Sequence, residues 1–92
     1  KIISVNDFMA IEEYIEENEY FELYENLSKL AFEEYPGTIL PSYYKGRFYE
    51  ETGNPEKAMH LYRSAYNMNE VEGLTKDYLI ELADRIKEDF NF

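Results

Sequence analysis

The sequence predicts an all-α fold of five helices, arranged as two helix-turn-helix repeats and a C-terminal closing helix. Apolar side chains recur at spacings of three and four along most of the chain, which is the period of one helix face. Residues 53–58, with the sequence GNPEKA, give a sharp turn signal between two such stretches. No segment reads as a strand, so the chain is expected to form a short stack of helices.

The first two helices are expected on either side of a turn at Asn18. Ser4 or Asn6 is expected to cap the first helix, because side-chain oxygens of these residue types accept hydrogen bonds from the first turn. The second helix is predicted over about residues 19–35, where the apolar residues form one stripe that ends at the Pro-Gly pair 36–37. Each helix therefore presents one apolar face.

The turn between the third and fourth helices is the strongest local signal. Gly53 suits the left-handed backbone that closes a helix, Asn54 is expected to cap the next one, and Pro55 stands where a helix tolerates proline. The small residues Gly46 and Ala58 flank this turn. They predict that the two helix backbones approach each other closely.

Proline and glycine residues indicate where the third, fourth and fifth helices begin and end. The third helix is predicted from Pro41 to about residue 52, and the fourth from residue 55 to about residue 68. Gly73 or Thr75 opens the fifth, which runs to about residue 90. Its apolar face consists of Leu74, Tyr78, Leu79, Leu82, Ala83, Ile86 and Phe90.

Residues 39–72 resemble a tetratricopeptide repeat, a helix-turn-helix unit of about 34 residues with small and aromatic side chains at fixed offsets. The residues that carry the resemblance are Gly46, Tyr49, Gly53, Ala58, Tyr62 and Ala65. The same period extends backwards over about residues 5–38 and forwards over about residues 73–90. Since one repeat cannot bury its apolar face alone, residues 1–92 are expected to fold as a single tetratricopeptide-like domain.

The chain is strongly acidic, with 20 Asp and Glu, 9 Lys and Arg, and a formal net charge of -11. Residues 1–34 hold ten of the acids and only two of the bases. Because phosphate recognition depends on clustered Lys and Arg, the sequence predicts neither nucleic-acid binding nor attraction to an anionic membrane surface. No apolar run approaches the roughly 20 residues that span a bilayer. The acidic faces suit either a solvated surface or a basic partner.

No group of residues predicts catalysis, a cofactor or a metal site. His60 is the only histidine and cysteine is absent, so a zinc site lacks its usual ligands. The carboxylates of Glu12, Glu13, Glu16 and Glu17 lie on neighbouring turns but lack the loop spacing of a calcium site. The serines have no nearby general base, and the glycines do not form a phosphate-binding loop. The domain is therefore expected to be non-catalytic.

The resemblance implies a concave groove, because in tetratricopeptide domains the first helix of each repeat lines one. The groove-facing positions fall on Asn6, Met9, Glu13, Glu16, Leu40, Tyr43, Arg47, Glu50, Leu74, Asp77, Glu81 and Asp84. Nine of these are the predicted partner-binding residues: Met9, Glu13, Glu16, Leu40, Tyr43, Arg47, Glu50, Asp77 and Glu81. Family members that grip the acidic tails of chaperones carry Lys and Asn where this chain has Met9 and Glu13. Because the lining is acidic with an apolar patch at Met9, Leu40 and Tyr43, the expected ligand is a basic or aromatic segment of a protein partner.

Most of the chain also resembles the short repeat tail that follows an esterase-type α/β-hydrolase domain in some Bacteroidetes-like proteins. The similar residues are 27–30 (LSKL), the Tyr-Pro pair 35–36 and the turn at 53–58. This resemblance implies a structural role, in which the domain positions, regulates or dimerises a hydrolase whose catalytic serine lies upstream. Since the chain begins at Lys1 and not at Met, it is expected to be a piece of a longer polypeptide of undetermined compartment.

Tyrosine usage also favours contacts outside the domain. The chain has 10 tyrosines, and Tyr43, Tyr44 and Tyr66 are not required by the repeat pattern. Tyrosine is enriched at interfaces because its ring supplies contact area while its hydroxyl tolerates water. Some of these three are expected to contact another domain or a second copy of the chain.

Overall fold

The computed structural model describes residues 3–92, and its regular structure is helical. The elements are α1 Val5–Asn18, α2 Leu23–Glu34, α3 Leu40–Glu51, α4 Pro55–Ser64, a 3₁₀ turn Ala65–Asn67, and α5 Lys76–Phe90. Consecutive helices pack against each other, as expected for a short helical repeat. Across residues 3–92 the only β-type pairings are two isolated bridges. The predicted all-α fold with five helices is confirmed.

Local capping explains where several helices begin and end. The Ser4 hydroxyl accepts the Asp7 N–H at 3.1 Å and the Asp7 carboxylate accepts the Ser4 N–H at 3.2 Å, which forms a capping box on α1. The Thr75 hydroxyl caps α5 by accepting the N–H of Tyr78, without a reciprocal side-chain bond. Gly53, with φ of 91°, ends α3 just before Pro55 begins α4. Of the alternatives that the sequence offered, Ser4 and not Asn6 caps α1, and Thr75 and not Gly73 caps α5. Gly53 has the left-handed backbone that was predicted for it.

Some predicted helix limits were wrong. Helix α2 begins at Leu23, later than expected, because Glu19 adopts a left-handed φ of 55° and closes α1. Helix α4 ends at Ser64 and continues only as a 3₁₀ turn, short of residue 68. Asn54 precedes α4 as expected, but its side chain makes no capping hydrogen bond. The α3–α4 turn therefore depends on glycine and proline geometry and not on a side-chain cap.

An aromatic stack joins the first three helices in the core. Tyr44 on α3 is fully buried and stacks on Phe8 of α1 and on Tyr24 of α2, with a ring-centroid distance of 6.0 Å in each case. Stacked rings of this kind contribute about 0.5–1.5 kcal/mol per pair beyond their buried area. Tyr44 is therefore a core residue that another chain does not reach.

Gly46 makes room for an aromatic ring of the next helix. A Cβ atom at this position would lie 2.3 Å from Cε1 of Tyr62 on α4, far inside van der Waals contact. The glycine thus lets the Tyr62 ring lie against the α3 backbone. Glu12, the residue 34 positions earlier, has a side chain and so does not admit a neighbouring ring against its backbone. Accordingly, the backbones of α1 and α2 approach each other closely at few points. The Glu12 carboxylate points towards α3 instead.

Candidate functional site

Helices α1, α3 and α5 share one side of the stack, which we call the odd-helix face. Tyr43 on α3 lies at its centre. The Tyr43 hydroxyl donates a 2.7 Å hydrogen bond to Oε2 of Glu12 on α1, and its ring centroid lies 6.3 Å from that of Tyr78 on α5. One side chain thus connects all three helices.

A cavity of about 330 Å³ opens beside Tyr43 on this face. Its walls are mainly apolar and aromatic, and one carboxylate lies among them. The lining residues are Met9, Glu12, Tyr43, Gly73, Leu74, Thr75 and Tyr78. The volume lies at the lower end of the range for small-ligand sites and suits one long side chain. We call this space the Glu12 cavity.

Glu12 is half-buried, and its environment shifts its acidity. Burial raises the pKa of Glu12 above the usual 4.5, while hydrogen bonding from Tyr43 and Tyr44 and the charge of Arg47 offset part of the shift. The second carboxylate oxygen, Oε1, is buried and receives no well-formed hydrogen bond from residues 3–92. The Tyr44 hydroxyl lies near this carboxylate but donates to Sδ of Met9 at 4.0 Å. Because burial disfavours the ionised form of Glu12, this carboxylate gains free energy when a cation approaches it from the cavity.

Arg47, beside the cavity, is bound by three carboxylates. Its Nη2 atom lies 2.8 Å from Oε2 of Glu16 on α1 and 2.8 Å from Oε1 of Glu51. Its Nη1 atom lies 3.0 Å from Oε1 of Glu50. Only 14% of the Arg47 side chain is exposed. The guanidinium therefore fastens α1 to α3 and has little surface left for a partner.

Two buried tyrosines complete this ionic cluster. The Tyr24 hydroxyl donates to Glu16, and the Arg47 guanidinium carbon lies 5.8 Å from the Tyr24 ring centroid. The Tyr62 hydroxyl donates to Glu50 at 2.9 Å. Burial raises the pKa of Glu16, but the hydrogen bonds from Tyr24 and Arg47 outweigh it and the net shift is downwards. The cluster thus favours the ionised form of Glu16.

Five of the nine predicted partner-binding residues either line the Glu12 cavity or are exposed to solvent. Met9 and Tyr43 line the Glu12 cavity. The acidic side chains of Glu13, Asp77 and Glu81 are exposed on α1 and α5. Helices α1 and α5, which border the Glu12 cavity, thus also carry exposed acidic side chains.

The other four predicted residues have internal contacts. Leu40 is fully buried and belongs to the core, so it does not line an open groove. Arg47, Glu16 and Glu50 bind one another across α1 and α3. The repeat pattern places all four near the expected groove, but it does not show which side chains are already occupied by neighbours.

Five residues of the cavity were not among the nine predicted binding residues, and three of these five, Glu12, Tyr78 and Thr75, carry polar side-chain groups. The sequence indicated Glu12 only as a member of the acidic cluster on the first helix and as the residue 34 positions before Gly46. Tyr78 belongs to the apolar stripe of α5, yet 41% of it is exposed. Thr75 was assigned only a capping role. The exposed ring within an otherwise buried stripe is a tertiary feature that periodicity does not reveal.

Across residues 3–92, no group of three or more His, Asp or Glu side chains is arranged to hold a metal ion. None of the helices in this range has the length and apolar character to cross a membrane. Comparison with protein-family models, curated proteins and solved structures finds no match to this chain. The resemblances to tetratricopeptide repeats and to hydrolase tails therefore stay predictions.

Proposed function

We propose that this domain is a non-catalytic interaction module that binds a basic side chain of a partner segment in the Glu12 cavity. The observation that supports the proposal is the single, partly buried carboxylate among the mainly apolar lining of the cavity. A Lys or Arg side chain matches that lining, because it combines an aliphatic stem with a cationic head. The stem would pack against Met9, Tyr43 and Tyr78, and the head would approach Glu12.

The charges around the cavity favour the same class of ligand. Glu13, Asp77 and Glu81 are exposed on the helices that border it, and the whole chain has a formal net charge of -11. An acidic field of this kind accelerates the encounter with basic segments and disfavours acidic ones. A bound cation also stabilises the ionised form of Glu12, which recovers part of the cost of burying that carboxylate.

Two peptides that differ at one residue test the proposal. One carries Arg between aliphatic residues, and the other carries citrulline, which is neutral and of similar shape. We expect wild-type protein to bind the Arg peptide at least about tenfold more tightly in calorimetry at neutral pH. Equal affinities of the wild-type protein for the two peptides would contradict the proposal.

Two variants identify the cavity as the binding site. Glu12→Gln keeps an oxygen that can accept the Tyr43 hydroxyl and removes only the charge, so it should abolish the preference for Arg over citrulline. Glu88→Gln removes an exposed charge near the end of α5 and should retain the preference. If both variants behave alike, overall charge and not the Glu12 cavity governs binding.

A second candidate is the accessory role, in which the domain packs against another part of the same polypeptide. An apolar surface on α1 and α2 favours it: Ile11, Tyr14 and Leu23 are 38%, 54% and 37% exposed and border a cavity of about 320 Å³. Hydrogen exchange of the domain alone and within a longer polypeptide tests this role. Extra protection of α1 and α2 in the longer chain is expected, and identical exchange would contradict it.

A further inference from the structure

A second groove of opposite charge lies between α2, α3 and α4. It consists of a cavity of about 490 Å³ and a neighbouring one of about 320 Å³. Lys45 and Leu61 border both cavities, so the two form one continuous surface. The side chains that characterise it are Lys29, Phe32, Lys45, Tyr49, Lys57 and Leu61. We call it the lysine groove.

The lysine groove and the Glu12 cavity lie on opposite sides of α3. Tyr43 and Lys45 are two positions apart, which corresponds to about 200° around a helix axis. Tyr43 points to α1 and α5, whereas the Lys45 ammonium lies 3.8 Å from Glu25 on α2. Two ligands could therefore occupy the two surfaces at the same time.

The charge of the lysine groove is opposite to that of the chain as a whole. Its lining has three lysines and one carboxylate, Glu33, in a chain of formal net charge -11. Within residues 3–92, neither Lys29 nor Lys57 has a carboxylate at ion-pairing distance. The 3.8 Å pair of Lys45 with Glu25 is partly exposed, and such pairs contribute little. Even with Glu33 in the lining and Glu25 beside Lys45, the three lysines leave the groove with an excess of positive charge.

Aromatic and aliphatic surface accompanies these lysines. The ammonium groups of Lys45 and Lys57 lie 5.9 Å and 5.3 Å from the centroid of the Tyr49 ring. At these distances cation–π attraction holds both ammonium groups beside the Tyr49 ring. Phe32, at the other end of the groove, is 66% exposed. A ligand that contacts the whole groove must therefore carry both anionic groups and apolar groups.

We propose that the lysine groove docks an acidic protein segment that carries aromatic or aliphatic side chains. Carboxylates of the segment pair with Lys29, Lys45 and Lys57, and its apolar side chains cover Phe32 and Leu61. Nucleic acid fits less well, because three lysines on an acidic protein neutralise few phosphates and the exposed surface between them is apolar. This site prefers the opposite charge to the Glu12 cavity and does not depend on that proposal.

Fluorescence anisotropy with a short labelled peptide, in which Asp and Glu alternate with Phe and Leu, tests the proposal. The triple variant Lys29→Glu/Lys45→Glu/Lys57→Glu should weaken binding at least about tenfold. Phe32→Ala, which alters a largely exposed side chain, should weaken it severalfold. The matched control Lys76→Glu/Arg85→Glu/Lys87→Glu makes the same change in net charge on α5 and should retain affinity within about threefold.

Several outcomes would overturn the proposal. Equal losses in the two triple variants would show that net charge and not the groove determines binding. Failure of the wild-type protein to bind the peptide, or tighter binding of single-stranded RNA or anionic vesicles, would also overturn it. A peptide with Ser in place of Phe and Leu should bind weakly, and undiminished affinity would contradict the apolar contribution. Glu12→Gln should leave this binding unchanged, which separates the two proposed sites.

Discussion

The Tyr43 hydroxyl and the Glu12 carboxylate, 31 residues apart in the chain, form a 2.7 Å hydrogen bond between α3 and α1. This bond serves both the fold and the cavity. It ties the first helix to the centre of the stack, and it orients a partly buried carboxylate beside an open apolar space. Changes to either residue should therefore alter stability and ligand preference together.

Tyr43→Phe should lower the free energy of unfolding by about 1–3 kcal/mol, because it leaves Glu12 Oε2 without its donor in a partly buried site. Urea denaturation measures the loss. In a Glu12→Gln background the same change should cost less, since the unpaired group is then neutral. Tyr66→Phe, at an exposed ring, is the control and should be close to neutral. Equal costs of Tyr43→Phe in both backgrounds would contradict the role given to this bond.

Gly46→Ala should destabilise the domain by about 1–3 kcal/mol, because the new methyl group overlaps the Tyr62 ring. Helix propensity alone predicts the opposite sign, a gain of about 1 kcal/mol for Gly→Ala within a helix. Thermal unfolding therefore distinguishes the two effects by sign. Combining Gly46→Ala with Tyr62→Leu should cost less than the sum of the single changes, and strict additivity would argue against the contact.

Arg47→Met should destabilise the domain by about 2 kcal/mol or more, since it leaves three carboxylates beside one another without their cation. The cost stays below that of a fully buried pair because the carboxylates retain contact with water. Arg85→Met breaks an exposed pair with Glu81 and should cost less than about 0.5 kcal/mol. Similar denaturation midpoints for the two variants would rule out a structural role for the Arg47 cluster.

Glu12 and Glu16 should influence acid stability in opposite directions. The folded pKa of Glu12 is raised, so its favourable contribution is present below the unfolded pKa of about 4.5 and is lost as pH rises through the folded pKa. The folded pKa of Glu16 is lowered, so its contribution is present above about 4.5 and is lost as pH falls through the folded pKa. Burial dominates the first shift, and the hydrogen bonds of Tyr24 and Arg47 reverse the second.

Unfolding free energies of Glu12→Gln and Glu16→Gln, measured from acid to neutral pH, check these directions. Relative to wild type, Glu12→Gln should gain stability as pH rises above about 4.5. Glu16→Gln should be destabilised at neutral pH, and the difference should shrink in acid. Parallel pH profiles for the two variants would show that their environments are not distinct.

The helices were predictable where local chemistry fixes their ends. Gly53, Pro55 and Thr75 act on their immediate neighbours, so their roles follow from the sequence, and the spacing of apolar residues gives the helix faces. The start of α2 was not predictable in this way. Helix α2 has no side-chain cap, and its limit depends on the left-handed turn at Glu19, a residue type that seldom adopts that conformation.

The candidate site was predictable only in part, because its contacts join distant residues. The carboxylates of Glu50 and Glu51 lie within one turn of Arg47, so the sequence alone could have suggested those pairs. The contacts of Arg47 with Glu16 and of Tyr43 with Glu12 each span 31 residues. They require the packing of α1 on α3, which no local pattern encodes.

Carboxyl ¹³C titration of Glu12 by NMR, with and without the Arg peptide, tests whether a basic side chain binds beside this carboxylate. In the free protein we expect a Glu12 pKa above 4.5, raised by burial. With the peptide bound, that pKa should fall, and the resonances of Met9, Tyr43 and Tyr78 should shift while those of the lysine groove stay in place. A Glu12 pKa that is unchanged under saturating peptide would contradict the claim that a basic side chain binds beside this carboxylate.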